Sequence, residues 1–152
     1  MLRRTFIINK NYLILPVRSV DPKGMRPVAT GQMKFLVNGK KIRWCDIDLA
    51  EDEGSYKVFT DVSPFLGEEL TLELEDPKVS SLEKIFLSDV PVNSNNLYKE
   101  ELRPQFHFSS RRGWNNDPNG LFFQNGEYHL LYQHNPYSVH WGNLHWGHAV
   151  SK

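Results

Sequence analysis

Through the first hundred residues, apolar and polar positions alternate in short runs divided by turn signals. The clearest is 70–74, where Leu70, Leu72 and Leu74 share one face and Thr71 and Glu73 the other. That period of two is the mark of a strand with one buried side. Residues 5–8 and 12–17 are β-branched and apolar, 33–37 and 41–48 flank an Asn38-Gly39 pair, and 55–62 alternates with Tyr56, Val58 and Phe59 as candidate core. A further run covers 82–87. Asn-Gly between two such runs is a strong hairpin signal, and Asp21-Pro22-Lys23-Gly24 is a turn with proline preset at its second position. No long segment carries a helical period. Strands at this spacing predict an antiparallel β-sandwich. Residues 88–102 are polar and turn-rich and read as a connector, so the first domain is expected over 1–102.

From Arg103 the pattern changes. About half of the chain's aromatic residues fall in 103–152, crowded with His, Asn and Gly, and only Asp117 and Glu127 are acidic there. Strands are expected at 121–123, 127–133 and 145–151, with Asn125-Gly126 as a tight turn. Three strands suit the meander of a propeller blade, which needs about four. Trp146, Phe122, Phe123 and Tyr132 are the expected blade core, whereas Trp114 and Trp141 are better placed for a ligand. In the first hundred residues Trp44 is the sole tryptophan and is expected in the core.

Composition narrows the class. The 152 residues carry no formal net charge, which disfavours a nucleic-acid partner. The zero sums a basic stretch, 1–43, and an acidic one, 44–101, expected to pair across one sandwich. Cys45 is the lone cysteine, so no intrachain disulfide forms. No run reaches the length of a membrane span.

Candidate chemistry gathers in Gly113-Trp114-Asn115-Asn116-Asp117-Pro118-Asn119-Gly120. Asp-Pro-Asn-Gly is a good turn sequence, and Pro118 is expected to push Asp117 towards an extended backbone. A carboxylate beside a flat indole and amide donors suits a sugar; a turn with a solvated Asp suits the same residues. The Arg111-Arg112 pair reads as a solvated turn. His134, His140, His145 and His148 lie close in sequence, but strand alternation separates His145 from His148, and no Cys or carboxylate completes a ligand set. No metal or cofactor is expected.

The order Arg103-Pro104, His107-Phe108, 113–121, Tyr132-Gln133-His134-Asn135-Pro136 and 145–151 resembles glycoside hydrolase family 32, the invertases, levanases, inulinases and fructan exohydrolases. Asn115 departs from it, standing where the family usually has Met. The resemblance implies an all-β chain: an N-terminal accessory sandwich, then 103–152 as the first blade of a truncated five-bladed β-propeller whose remainder is expected in the full-length protein. It implies a retaining glycosidase acting on fructan or sucrose, with Asp117 as nucleophile and Trp114, Asn116, Gln133 and Trp141 as contacts to the fructosyl unit. The family's other two carboxylates, in Arg-Asp-Pro and Glu-Cys motifs, are not found in these residues. The chain alone is therefore expected to be inactive, and a non-catalytic fructan-binding module is the alternative. No signal peptide is visible, yet a polymeric substrate suggests an extracytoplasmic place. The first hundred residues carry no catalytic constellation and are expected to support the enzyme structurally.

Overall fold

The computed structural model describes residues 1–18, 29–51, 56–76 and 82–152. The expected turn at Asp21–Gly24 lies outside them. The chain is all-β: among the described residues there is no α-helix, and ten strands form three antiparallel sheets. They fall into two compact units, Met1–Ser94 and Asn95–Lys152.

In the first unit, β1 (Leu2–Ile7), β6 (Glu69–Glu75), β3 (Gln32–Val37) and β4 (Lys40–Asp46) form a four-stranded sheet in the order β1-β6-β3-β4. Period-two patterning decides its buried side. Met33, Phe35 and Val37 of β3 and Leu70, Leu72 and Leu74 of β6 point inward and are buried. The hairpin forms where the sequence predicts it: Asn38 and Gly39 both take positive φ, 48° and 77°, as a two-residue turn between twisted strands requires. The Asn38 amide also binds the Glu68 carboxylate and accepts from the Glu69 amide at 3.2 Å, tying the turn to β6.

A second sheet orders β5 (Tyr56–Asp61), β2 (Tyr12–Val17) and β7 (Phe86–Ser88). Its central strand β2 is buried at Leu13, Ile14, Leu15 and Val17, which is why it reads as a continuous apolar run. Pro16 is tolerated because β7 pairs only as far as Ile14. Of the core expected in β5, Val58 is buried, while Tyr56 and Phe59 are half-buried and Phe59 meets the Tyr12 ring edge-on at 5.6 Å. The oppositely charged stretches do pair: Arg3 with Glu73, Lys34 with Glu75, Lys10 with Asp89.

Trp44 is not in the core. Its ring is 53% exposed, because on β4 the inward position belongs to its neighbour Cys45. Burial pushes the Cys45 thiol up to about 12.

In the second unit, β8 (Trp114–Gln124), β9 (Glu127–Asn135) and β10 (His145–Ser151) form a meander with β9 in the centre. The Asn125-Gly126 turn has positive φ at both residues, as expected. Strand β8 starts well before residue 121 and takes in the whole Trp-Asn-Asn-Asp-Pro-Asn-Gly run. Trp146, Phe122 and Phe123, expected in a core, are 69%, 43% and 61% exposed. One three-stranded sheet has two faces, and these side chains lie where no second layer covers them. Tyr132 is buried: its ring lies flat over Gly147 on β10, where an added Cβ would sit 2.2 Å from Cζ.

Candidate active site

The site is built on the paired ends of β8 and β9. Asn116 stands opposite Gln133, and its Nδ2 donates to Gln133 Oε1 at 2.9 Å. Trp114, two residues earlier on the same face, donates from Nε1 to Asn116 Oδ1 at 3.1 Å. Three of the four expected sugar contacts therefore form one hydrogen-bonded chain, Trp114–Asn116–Gln133. Each amide still has a hydrogen-bonding group beyond those used in this chain.

Asp117 follows Asn116 but does not pair. The register passes from Asn116↔Gln133 to Pro118↔Tyr132, leaving Asp117 as the extra residue of a β-bulge. Its φ is +38°, so the backbone is left-handed and not extended, as Pro118 alone would favour. The pull of the ladder on both sides wins over the local preference before proline: Asn116 and Pro118 are held in register, and the surplus residue takes up the kink. Asp tolerates this region better than most residues, and Asn119 Nδ2 donates to the Asp117 carbonyl at 2.7 Å, bracing it. The carboxylate carried by this left-handed bulge residue is exposed.

The strand is anchored behind Asp117. Gly113 has φ +72°, and a Cβ there would lie 2.2 Å from the Asn135 carbonyl oxygen, so only glycine allows this approach. The Trp114 amide donates to Ser138 O at 3.0 Å. Asn135 is 1% exposed; it donates to His140 O at 2.9 Å and accepts from the Tyr137 amide at 3.0 Å. It thereby shapes the loop that carries Trp141, whose ring is 40% exposed at the same end of the sheet. Asn119 and Asn135 have no role in the sequence reading. The Asn-Pro turn signal at 135–136 was available for the second; the bulge that makes Asn119 matter has no sequence signal.

Electrostatics around the site follow burial. The half-buried Arg112 guanidinium is lowered to about 10 by desolvation, so this arginine is not a solvated turn residue. Its carbonyl lies 2.8 Å from His134 Nε2, and burial lowers that imidazole too, favouring the neutral ring. Arg103 bonds Glu100, Ser109 Oγ and Ser110 O and lies 4.5 Å over the Tyr98 ring. Its hydrogen bonds hold Glu100 down at about 2.

A retaining glycosidase needs two carboxyl groups about 5–5.5 Å apart. The second unit's other carboxylates are Glu100, Glu101 and Glu127. Glu127 opens β9 beside the Asn125-Gly126 turn, about 17–20 Å along the strand from Asp117's level. Glu100 is held ionised by Arg103, the opposite of what a general acid needs. Asp117 thus stands as a single carboxylate with amide and indole neighbours. Among the described residues no group of three or more metal-binding side chains comes together.

Residues 107–152 match the glycosyl hydrolases family 32 N-terminal domain. Over 58 residues, 38% of this chain and 9% of the relative, it is 55% identical to the levanase of Bacillus subtilis (strain 168). Over 55 residues, 36% of this chain and 10% of the relative, it is 53% identical to the extracellular exo-inulinase of Aspergillus awamori. The sucrose-6-phosphate hydrolase of Escherichia coli is 58% identical over 48 residues, 32% of this chain and 10% of its own. The match thus spans about a tenth of the length of these relatives.

Proposed function

We propose that this chain supplies the opening part of a retaining fructosyl hydrolase, with Asp117 as nucleophile and Trp114, Asn116, Gln133 and Trp141 as fructosyl contacts. The observation that carries the reading is the hydrogen-bonded Trp114–Asn116–Gln133 chain with Asp117 bulged out beside it, inside the family-matched segment. Asp117 attacks the anomeric carbon and displaces the leaving oxygen, forming a covalent fructosyl ester. A general acid protonates that oxygen and then, as base, activates the water that releases the sugar. Asn116 and Gln133 hold the ring hydroxyls while Trp114 covers its apolar face. The three strands of the second unit act as the first blade of a five-bladed propeller, and the two sheets of the first unit as an accessory sandwich. Levan or inulin is the favoured substrate and sucrose the small one, supported by the levanase and exo-inulinases among the relatives. An extracytoplasmic place follows from a polymeric substrate.

The second reading, a non-catalytic fructan-binding module, is favoured by one observation: Glu127 lies at the far end of β9 from Asp117, and Glu100 is held ionised by Arg103. The two separate on intact mass and activity. In the source organism, a gene product well above 17.7 kDa that releases fructose, and loses about 10⁴-fold in kcat as Asp117→Asn, supports the enzyme. A product of this mass that binds fructan without turnover supports the module. The 152-residue chain by itself is expected to release no fructose; release that disappears with Asp117→Ala would overturn this.

A further inference from the structure

The first unit carries a surface that the catalytic reading does not use. Trp44 sits on β4, at the edge of the four-stranded sheet, 53% exposed; Ile42, the extra residue of a bulge two positions earlier on that strand, is 40% exposed. A half-exposed indole is a surface that water disfavours, flat on one side and open to a ligand. The pairing register sets a polar row beside it. Trp44 is opposite Lys34, Lys34 is opposite Glu73, and Glu73 is opposite Arg3. These four residues cross all four strands on the outward face, spanning about 14 Å. Their charges are matched within the face: Arg3 bonds Glu73, and Lys34 lies 3.2 Å from Glu75.

We propose that this outer face binds a neutral polyhydroxyl chain, a fructan, with Trp44 as the platform for a sugar ring and Lys34 and Arg3 as donors to its hydroxyls, the buried Glu73 between them holding Arg3 in place. Internal pairing leaves the row with hydrogen-bonding capacity but little net field, which suits an uncharged ligand and not an anion. Lys40, Lys41 and Arg43 along the same edge strand oppose pairing with a further strand, which disfavours a second copy as the occupant. The platform rests on the geometry of the first unit alone; the choice of fructan rests on the function proposed above.

Retention of the 152-residue chain on levan and inulin, by affinity electrophoresis and calorimetry, tests this. Trp44→Ala is expected to weaken binding about tenfold or more, and Trp44→Phe to keep most of it. Added salt is expected to leave binding unchanged. An unaltered amide spectrum outside β3 and β4 excludes misfolding. Equal retention by Trp44→Ala overturns the platform. Trp44-dependent retention on cellulose or xylan, with none on fructan, overturns the ligand assignment. A Trp44-dependent change in sedimentation without glycan binding makes the face a self-interface and overturns the proposal. Asp117→Asn plays no part in these readings, so failure of the nucleophile assignment shows in turnover alone.

Discussion

The two units are built from the same element, the antiparallel strand, and differ in what their apolar side chains meet. In Met1–Ser94, inward positions of two sheets are buried from Ile8 to Ile85. In Asn95–Lys152, the buried hydrophobic residues are two tyrosines, Tyr132 and Tyr137, while Leu121, Phe123, Tyr128 and Trp146 are more than 60% exposed. Alternation specifies a strand equally well in both. Burial needs a second layer, and only the first unit has two sheets to supply one. The second unit instead spends its sequence on geometry: a bulge at Asp117, glycines at close approaches, and side-chain amides holding loops. Stability is thus expected to reside in the first unit and site geometry in the second.

The contrast breaks most directly in the core. Leu72→Ala, with Leu72 fully buried on β6, is expected to cost about 2–5 kcal/mol in urea unfolding, whereas Phe123→Ala is expected to stay within about 0.5 kcal/mol. Comparable losses would show that the second unit has a core after all. A smaller effect probes the second unit's own buried contact. Gly147→Ala drives a Cβ into the Tyr132 ring and is expected to cost about 1–3 kcal/mol, read as faster amide exchange in β9 and β10 with β2 and β3 unmoved.

Much of this was legible in the sequence, and the misses share a cause. Turns are legible where chemistry is local: Asn38-Gly39 and Asn125-Gly126 need positive φ and take it. Strands with period two, such as β3 and β6, were likewise plain. Misplaced were residues whose fate depends on what lies across from them. Trp44 was expected inside because tryptophan is large and apolar, but the pleat gave the inward position to Cys45. Phe122, Phe123 and Trp146 were expected in a core that a lone sheet cannot form. Asp117 was expected to be extended from its neighbour Pro118, and the register on β9 overrode that preference. For the site, Trp114, Asn116 and Gln133 are brought together, whereas the bracing by Asn119 and Asn135 emerges only from the bulge and the loop.

Cys45 gives a pH-dependent reading of the same contrast. Its thiol is raised from 9.0 to about 12 by burial, so the folded state favours the protonated form. That contribution is complete below about pH 9 and is lost as pH rises towards 12, at up to about 1.4 kcal/mol per pH unit. A thiol reagent at pH 8 is expected to modify Cys45 only at the rate at which the first unit opens. Immediate labelling would mean that the core around β4 is accessible.

The smallest effect belongs to the second unit's ion pair. Glu100 is lowered from 4.5 to about 2, chiefly by its hydrogen bonds from Arg103. A depressed carboxylate stabilises the fold above its ordinary range, and that contribution fades as pH falls through about 2. The pair is exposed, so solvent screens it and the change in stability is expected to be slight. The informative quantity is the titration itself. Carboxyl chemical shifts are expected to place Glu100 near 2 in the native chain and to return it to the ordinary range in Arg103→Ala. The same substitution removes the bonds to Ser109 Oγ and Ser110 O. Because Ser110 Oγ in turn donates to Asn115 Oδ1, two residues from Asp117, the Asn115 amide resonances are expected to shift with it. A shift at Glu100 without one at Asn115 would separate the pair from the site and leave Arg103 as a local staple of the turn at 98–103.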